Sequence, residues 1–153
     1  MVALLFAGAR DVVAVVSCAG DAIFRPFGEL TDADFELCVR SKMMGQVNLV
    51  RTAAKHLRDA GSVTITSGMA STHPTPGSAA ISLVNAGLEG FVRAAALEMP
   101  RGIRVNAVCP GWVKETLVKF GMDPTPGLPA ADYAKVYVKA VEGTDQGQII
   151  QTA

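Results

Sequence analysis

The stretch GSAAISLVNAGLEGFVRAAALEM, residues 77 to 99, enters an Ala-rich amphipathic helix from a Pro/Gly loop that follows a strand-like run. Helices placed in this way often carry an acid and a base at their start, and side chains four residues apart share one face. Here the two places are held by Ile81 and Asn85: the first has no proton to give, the second only an amide. The hydroxyls of Ser78 and Ser82 lie close by but are too weakly acidic to act unaided. His73 sits in the preceding loop, and histidine is the side chain suited to proton exchange near neutral pH; an ordinary loop residue is the competing reading. His56 reads as a favourable charge near a helix C-terminus, and Tyr133 and Tyr137 as packing residues of the last helix.

These groups need a scaffold, and composition bounds it. The chain has 153 residues, 50% of them apolar and 18% charged, with a formal net charge of +0. That balance predicts one domain, 1–153, around one core; it argues against disorder and against a nucleic-acid footprint. Apolar runs such as VVAVV at 12–16 fall far short of the ~20 residues of a membrane span. The start MVALLFAGARD lacks the basic and long apolar segments of a secretory signal, so a cytoplasmic location is expected. Cys18, Cys38 and Cys109 are scattered without paired spacing, which predicts reduced thiols and no metal site.

Along the chain, DVVAVVS at 11–17 reads as a strand buried on both faces and closed by the turn CAGD. Thr31 with Asp34 three residues on is a capping-box pattern. It opens one long helix whose apolar positions run from Phe35 to Leu57 and which Gly61 closes. SVTITS at 62–67 is the next strand, 78–99 the second long helix, and 103–109 a third strand. A short helix, a Pro/Gly-rich loop, the helix AADYAKVYVKAV and the strand GQIIQT complete the order. Strands alternating with helices predict an α/β fold, a partial doubly wound parallel sheet of about four strands flanked by helices. The wholly apolar VVAVV suits an interior strand, yet about ten residues precede it, so it is expected at an edge open to association, with part of the fold missing ahead of it.

The series VVSCAG, SKMMGQVNLVRTAAKHL, SVTITSG, GSAAISLVNAGLEGFVRAAALEM, GIRVNAVCPGWV and GQII resembles the short-chain dehydrogenase/reductase family, from that family's fourth strand onward. IRVNAVCPG is the most specific stretch. The resemblance implies a Rossmann-like domain on one side of the switch point, NAD or NADP as cofactor, and hydride transfer to or from a small-molecule alcohol or carbonyl substrate. It also implies a homo-oligomer built through the two long helices. The family's glycine-rich phosphate turn has no counterpart here: FAGARD has a lone Gly8 and leads into a strand.

By the same resemblance, Ser17, Cys18, Ala19 and Gly20 form the turn beside the adenosine side, and Pro110, Gly111 and Val113 belong to the loop over the nicotinamide. Glu115 falls where the family has a carboxamide-binding threonine, with Thr116 one residue later. Ile81 and Asn85 fall on the family's tyrosine and lysine, while Lys42 falls on the asparagine of the earlier helix and Gly45 on its glycine. Lysine and asparagine have thus traded places, with Lys42 restoring a cation from the opposite wall and Asn85 taking over hydrogen bonding; the alternative is a solvated lysine and an ordinary polar asparagine. Ser67 matches the family's serine if the following loop holds one inserted residue, and Gly68 takes that place if it does not. The expected function is an NAD(P)-dependent oxidoreductase with weak or no activity as an isolated chain. The alternative is a non-catalytic association module.

Overall fold

The computed structural model describes residues 5–151. Four strands, β1 (Ala14–Val16), β2 (Ser62–Thr66), β3 (Arg104–Cys109) and β4 (Ile149–Gln151), form one parallel sheet in the order β1-β2-β3-β4. The register aligns Val15 with Val63 and Val63 with Val105. The helices are α1 (Asp32–Cys38), α2 (Met44–His56), α3 (Ala79–Ala95), α4 (Lys114–Lys119) and α5 (Ala130–Glu142). Among the described residues no helix is long and apolar enough to cross a membrane.

Side chains alternate across a strand, and that alternation divides the molecule. Val63, Ile65, Val105 and Ala107 face one way and share a core with Leu49, Val50 and Ala53 of α2 and Leu88 and Val92 of α3. Arg104 and Asn106 point the other way. Their side chains donate to the carbonyls of Ala140, Val141 and Asp145 at the end of α5. The sheet is therefore covered on both faces, as expected from the alternating strands and helices.

Three local departures from the sequence reading have physical causes. The first long helix is two helices joined by a wider, π-type turn at Val39–Met43, in which Lys42 lies. Its capping box is present: Thr31 accepts from the Asp34 amide and the Asp34 carboxylate from the Thr31 amide. That helix ends at His56, because Leu57 is already extended (φ −70°, ψ 149°). Gly61 instead permits a close approach, since a Cβ there would lie 2.9 Å from the Val13 carbonyl oxygen.

The second departure is at the catalytic-type helix, where α3 stops at Ala95, four residues before the expected end. The third is the first strand, paired only over Ala14–Val16 and, among the described residues, only with β2. Val13 and Val16 are 58% and 46% exposed, so this all-apolar run does lie at a sheet edge.

Candidate active site

At the C-terminal end of β2 the chain leaves the sheet through three successive carbonyls, each taken by a side chain from a neighbouring helix. Gln46 of α2 lies along Thr66 like an added strand: Nε2 donates to the Thr66 carbonyl at 2.9 Å, and Oε1 accepts the Thr66 amide at 2.8 Å. One helical turn earlier, Lys42 Nζ donates to the Ser67 carbonyl at 3.1 Å. From α3, Asn85 Nδ2 donates to the Gly68 carbonyl at 3.2 Å. The i,i+4 spacing of Lys42 and Gln46 puts both on the face turned to the strand end.

All of these residues except Gln46 line a cavity of about 640 Å³. Lys42, Ser67, Gly68 and Asn85 meet there with Ile81 of α3. The loop Pro110, Gly111, Trp112 and Val113, leaving β3, forms a second wall. Phe24 closes the rim against Trp112, edge to face, with ring centroids 6.0 Å apart at 66°. Burial disfavours the Lys42 ammonium and pushes its pKa below the usual lysine value; the neighbouring Cys109 and Cys38 oppose that shift. Cys109, buried at the end of β3, is pushed up by the same loss of water.

Six of the residues singled out in the sequence, Lys42, Ser67, Asn85, Pro110, Gly111 and Val113, line this one cavity. Ser67 contributes its carbonyl to Lys42, while its hydroxyl turns toward β3 and donates to Val108 O at 3.5 Å. The turn Ser17, Cys18, Ala19 and Gly20 lies apart, lining a second cavity of about 400 Å³ with Ser41, Gly45 and Gln46. Gly20 nevertheless abuts Lys42: its φ is +132°, and a Cβ there would stand 2.7 Å from Lys42 Cα.

His73 stands exposed on the cavity rim, its Nδ1 2.9 Å from the Thr72 hydroxyl. Ser78 is buried, accepting the Thr75 amide and sharing a hydrogen bond with Ser82. Glu115 turns away to accept the Ala130 amide at the start of α5, and Thr116 is the residue that faces the cavity.

The tyrosines do more than pack. Tyr133 lines the cavity and donates to Trp112 O at 3.3 Å, holding the loop after β3. Tyr137 shares a 2.7 Å hydrogen bond with Thr66 Oγ1, which donates at 2.6 Å to the Ser17 carbonyl. Burial raises the Tyr137 pKa well above the usual tyrosine range. Their four-residue spacing is the sequence signal that could have paired them on one helix face. Phe24 had no such signal, because it reaches the site from an irregular loop.

A profile of the family described as enoyl-(acyl carrier protein) reductase matches residues 1–148. The hydroxynaphthalene reductase-like protein Arp2 of Metarhizium brunneum is 31% identical over 140 residues, covering 87% of this chain and 52% of the relative. Versicolorin reductase stcU of Emericella nidulans is 34% identical over 109 residues, covering 70% of this chain and 40% of the relative. The chain thus spans about half the length, or less, of these two curated relatives. The solved structure of the protein lin1944 from Listeria innocua superposes with a TM-score of 0.91 at 34% identity, over 99% of this chain and 77% of that one. A small-chain dehydrogenase solved in complex with NADPH shares the fold, with a TM-score of 0.87 at 24% identity over 99% of this chain and 76% of its own. With the parallel sheet, the strand-end cavity and these matches together, the chain belongs to the short-chain dehydrogenase/reductase family of oxidoreductases.

Proposed function

We propose that these residues form the substrate side and nicotinamide end of an NAD(P)-dependent reductase that acts on the carbonyl or alcohol of an apolar, ring-containing small molecule. The observation that carries the reading is a mostly apolar cavity whose inner end gathers Lys42, Ser67 and Asn85. The names of the relatives, a hydroxynaphthalene reductase-like protein and a versicolorin reductase, support ring-containing substrates.

The residues fit one end of the cofactor. Lys42 uses one of its three N–H donors on the Ser67 carbonyl, which leaves donors for a ribose hydroxyl or a substrate oxygen. Pro110, Gly111 and Val113 supply a wall, and the Ser17–Gly20 turn a second cavity. Among the described residues, no glycine-rich turn leads into a helix N-terminus for the pyrophosphate; α1, α4 and α5 begin instead with Asp32, Glu115 and Asp132 in their first turns. Affinity for NAD or NADP through these residues alone is therefore weak.

When bound, the nicotinamide supplies the hydride. Lys42 polarises the substrate oxygen, Asn85 provides hydrogen bonding, and Ser67 fixes Lys42 through its carbonyl. Ile81 puts no phenol at the start of α3, and loss of a positioned general acid costs roughly 10²- to 10⁴-fold in rate. Slow turnover follows.

The experiment is an NADPH and NADH titration of the full chain, followed by turnover of an aryl ketone in the wild type and in the Ile81→Tyr/Asn85→Lys double variant. Saturable binding and a gain of roughly 10²-fold or more in the variant are expected. Absence of cofactor binding in both proteins rejects the enzymatic reading. A second reading, self-association without catalysis, is favoured by Leu83 and Leu97, 49% and 87% exposed on and just beyond α3. Concentration-dependent sedimentation without nucleotide binding would select it.

A further inference from the structure

Asn85 is 1% exposed, and its amide has only one sensible orientation. Nδ2 donates to the Gly68 carbonyl at 3.2 Å, and the flipped amide would set two acceptors face to face. Its Oδ1 is consequently left buried with no hydrogen-bond partner. Buried acceptors are nearly always paired, so an unpaired one on a cavity-lining residue points to a donor that arrives with a ligand. The other unpaired buried side-chain oxygen among the described residues, Thr64 Oγ1, lies within β2 and lines neither cavity.

The site is shaped to keep this arrangement. Gly68 has no side chain, and a Cβ there would lie 2.8 Å from Asn85 Nδ2. Apart from the polar group of Lys42, Ser67 and Gly68, much of the lining is apolar, including Ile81, one turn earlier on α3, and the Phe24–Trp112 edge-to-face pair. An aromatic body suits those walls, and a lone unpaired acceptor suits one hydrogen.

We infer that Asn85 Oδ1 is the receptor for a hydroxyl hydrogen on an aromatic ligand, so that the cavity selects hydroxyaryl compounds over their methyl ethers. This inference deepens the substrate reading above and rests on it. The physical basis is that a site built to hydrogen-bond a hydroxyl rejects the analogue lacking it, because its own buried group then stays unpaired.

The test uses 2-naphthol and 2-methoxynaphthalene as probes on the full chain. Calorimetry gives the affinities, and the indole N–H resonance of Trp112, the single tryptophan, reports whether the probe enters this cavity. The wild type should favour the naphthol by about tenfold or more, and Asn85→Leu should bring the ratio close to one by weakening the naphthol. Gly68→Ala, which displaces the same amide by contact, should do likewise and guards against a misfolded Asn85→Leu. Equal affinities in the wild type, or a preference that survives in both variants, would overturn the inference. If neither probe shifts Trp112, the ring-binding reading fails and takes the inference with it. If Asn85→Leu weakens nicotinamide riboside while the naphthol ratio holds, the receptor is for a sugar hydroxyl and the aryl assignment is wrong.

Discussion

Lys42 and Asn85 come from different helical segments yet donate to adjacent carbonyls of one strand end, Lys42 to Ser67 at 3.1 Å and Asn85 to Gly68 at 3.2 Å. The end of β2 is thus gripped from two sides by the two polar side chains that the family resemblance places at exchanged positions. Each has a structural task, and each retains unused hydrogen-bonding capacity: spare N–H donors on Lys42, a bare oxygen on Asn85.

Lys42 should link stability to pH. Its pKa is lowered on folding, chiefly by burial, so between the folded value and the ordinary 10.5 the unfolded chain binds more protons than the folded one. The cost is therefore full below the folded pKa and is relieved as pH rises toward 10.5. Lys42→Met removes the linkage. Urea melts at stepped pH should show the variant's stability, relative to wild type, falling as the solution becomes more alkaline; a pH-independent difference contradicts the burial argument.

Gln46 should be costly to truncate. Gln46→Ala removes both bonds to Thr66 and leaves a part-buried amide and carbonyl unpaired. At about 1–3 kcal/mol for each unpaired group, a loss of about 2 kcal/mol or more is expected from chemical denaturation. Gln46→Glu restores an acceptor for the Thr66 amide but sets a carboxylate against the Thr66 carbonyl, so it should regain stability on acidification.

Gly20 cannot accept a side chain. Its φ of +132° disfavours any L residue, and a Cβ would press on the Lys42 backbone at 2.7 Å. Gly20→Ala should destabilise by more than about 1 kcal/mol in thermal or urea unfolding. It should also displace Lys42, visible as increased reactivity of that amine toward acetylating reagents.

Tyr137 should ionise late. Burial raises its pKa on folding, and the bond to Thr66 only partly opposes this. The unfolded phenol loses its proton first as pH climbs, so this group withdraws stability at alkaline pH. A spectrophotometric titration of wild type minus Tyr137→Phe should show the Tyr137 phenolate appearing only above the ordinary tyrosine range, together with unfolding.

Much of this is legible in the sequence. β-branched runs flanked by Gly, Pro or Ser marked the strands, and the Thr31–Asp34 pattern marked a helix start that the structure retains. The gathering of Lys42, Ser67, Asn85 and the Pro110–Val113 loop in one cavity also followed from the resemblance. Other features leave no trace in composition. The wider turn at Val39–Met43 changes hydrogen-bond spacing without demanding special residue types. The tie between Tyr137 and Thr66 spans 71 residues and depends on which face of β2 the threonine occupies. Phe24 reaches Trp112 from a loop with no period to read.

The turn at Val39–Met43 carries one more consequence. A π-type turn spends about one more residue than an ordinary helical turn on the same stretch, so removing a single position there would let the segment close as a regular helix running into α2. A one-codon deletion at positions 39–41 would thus remove the wider turn that carries Lys42 without replacing any side chain that lines its cavity.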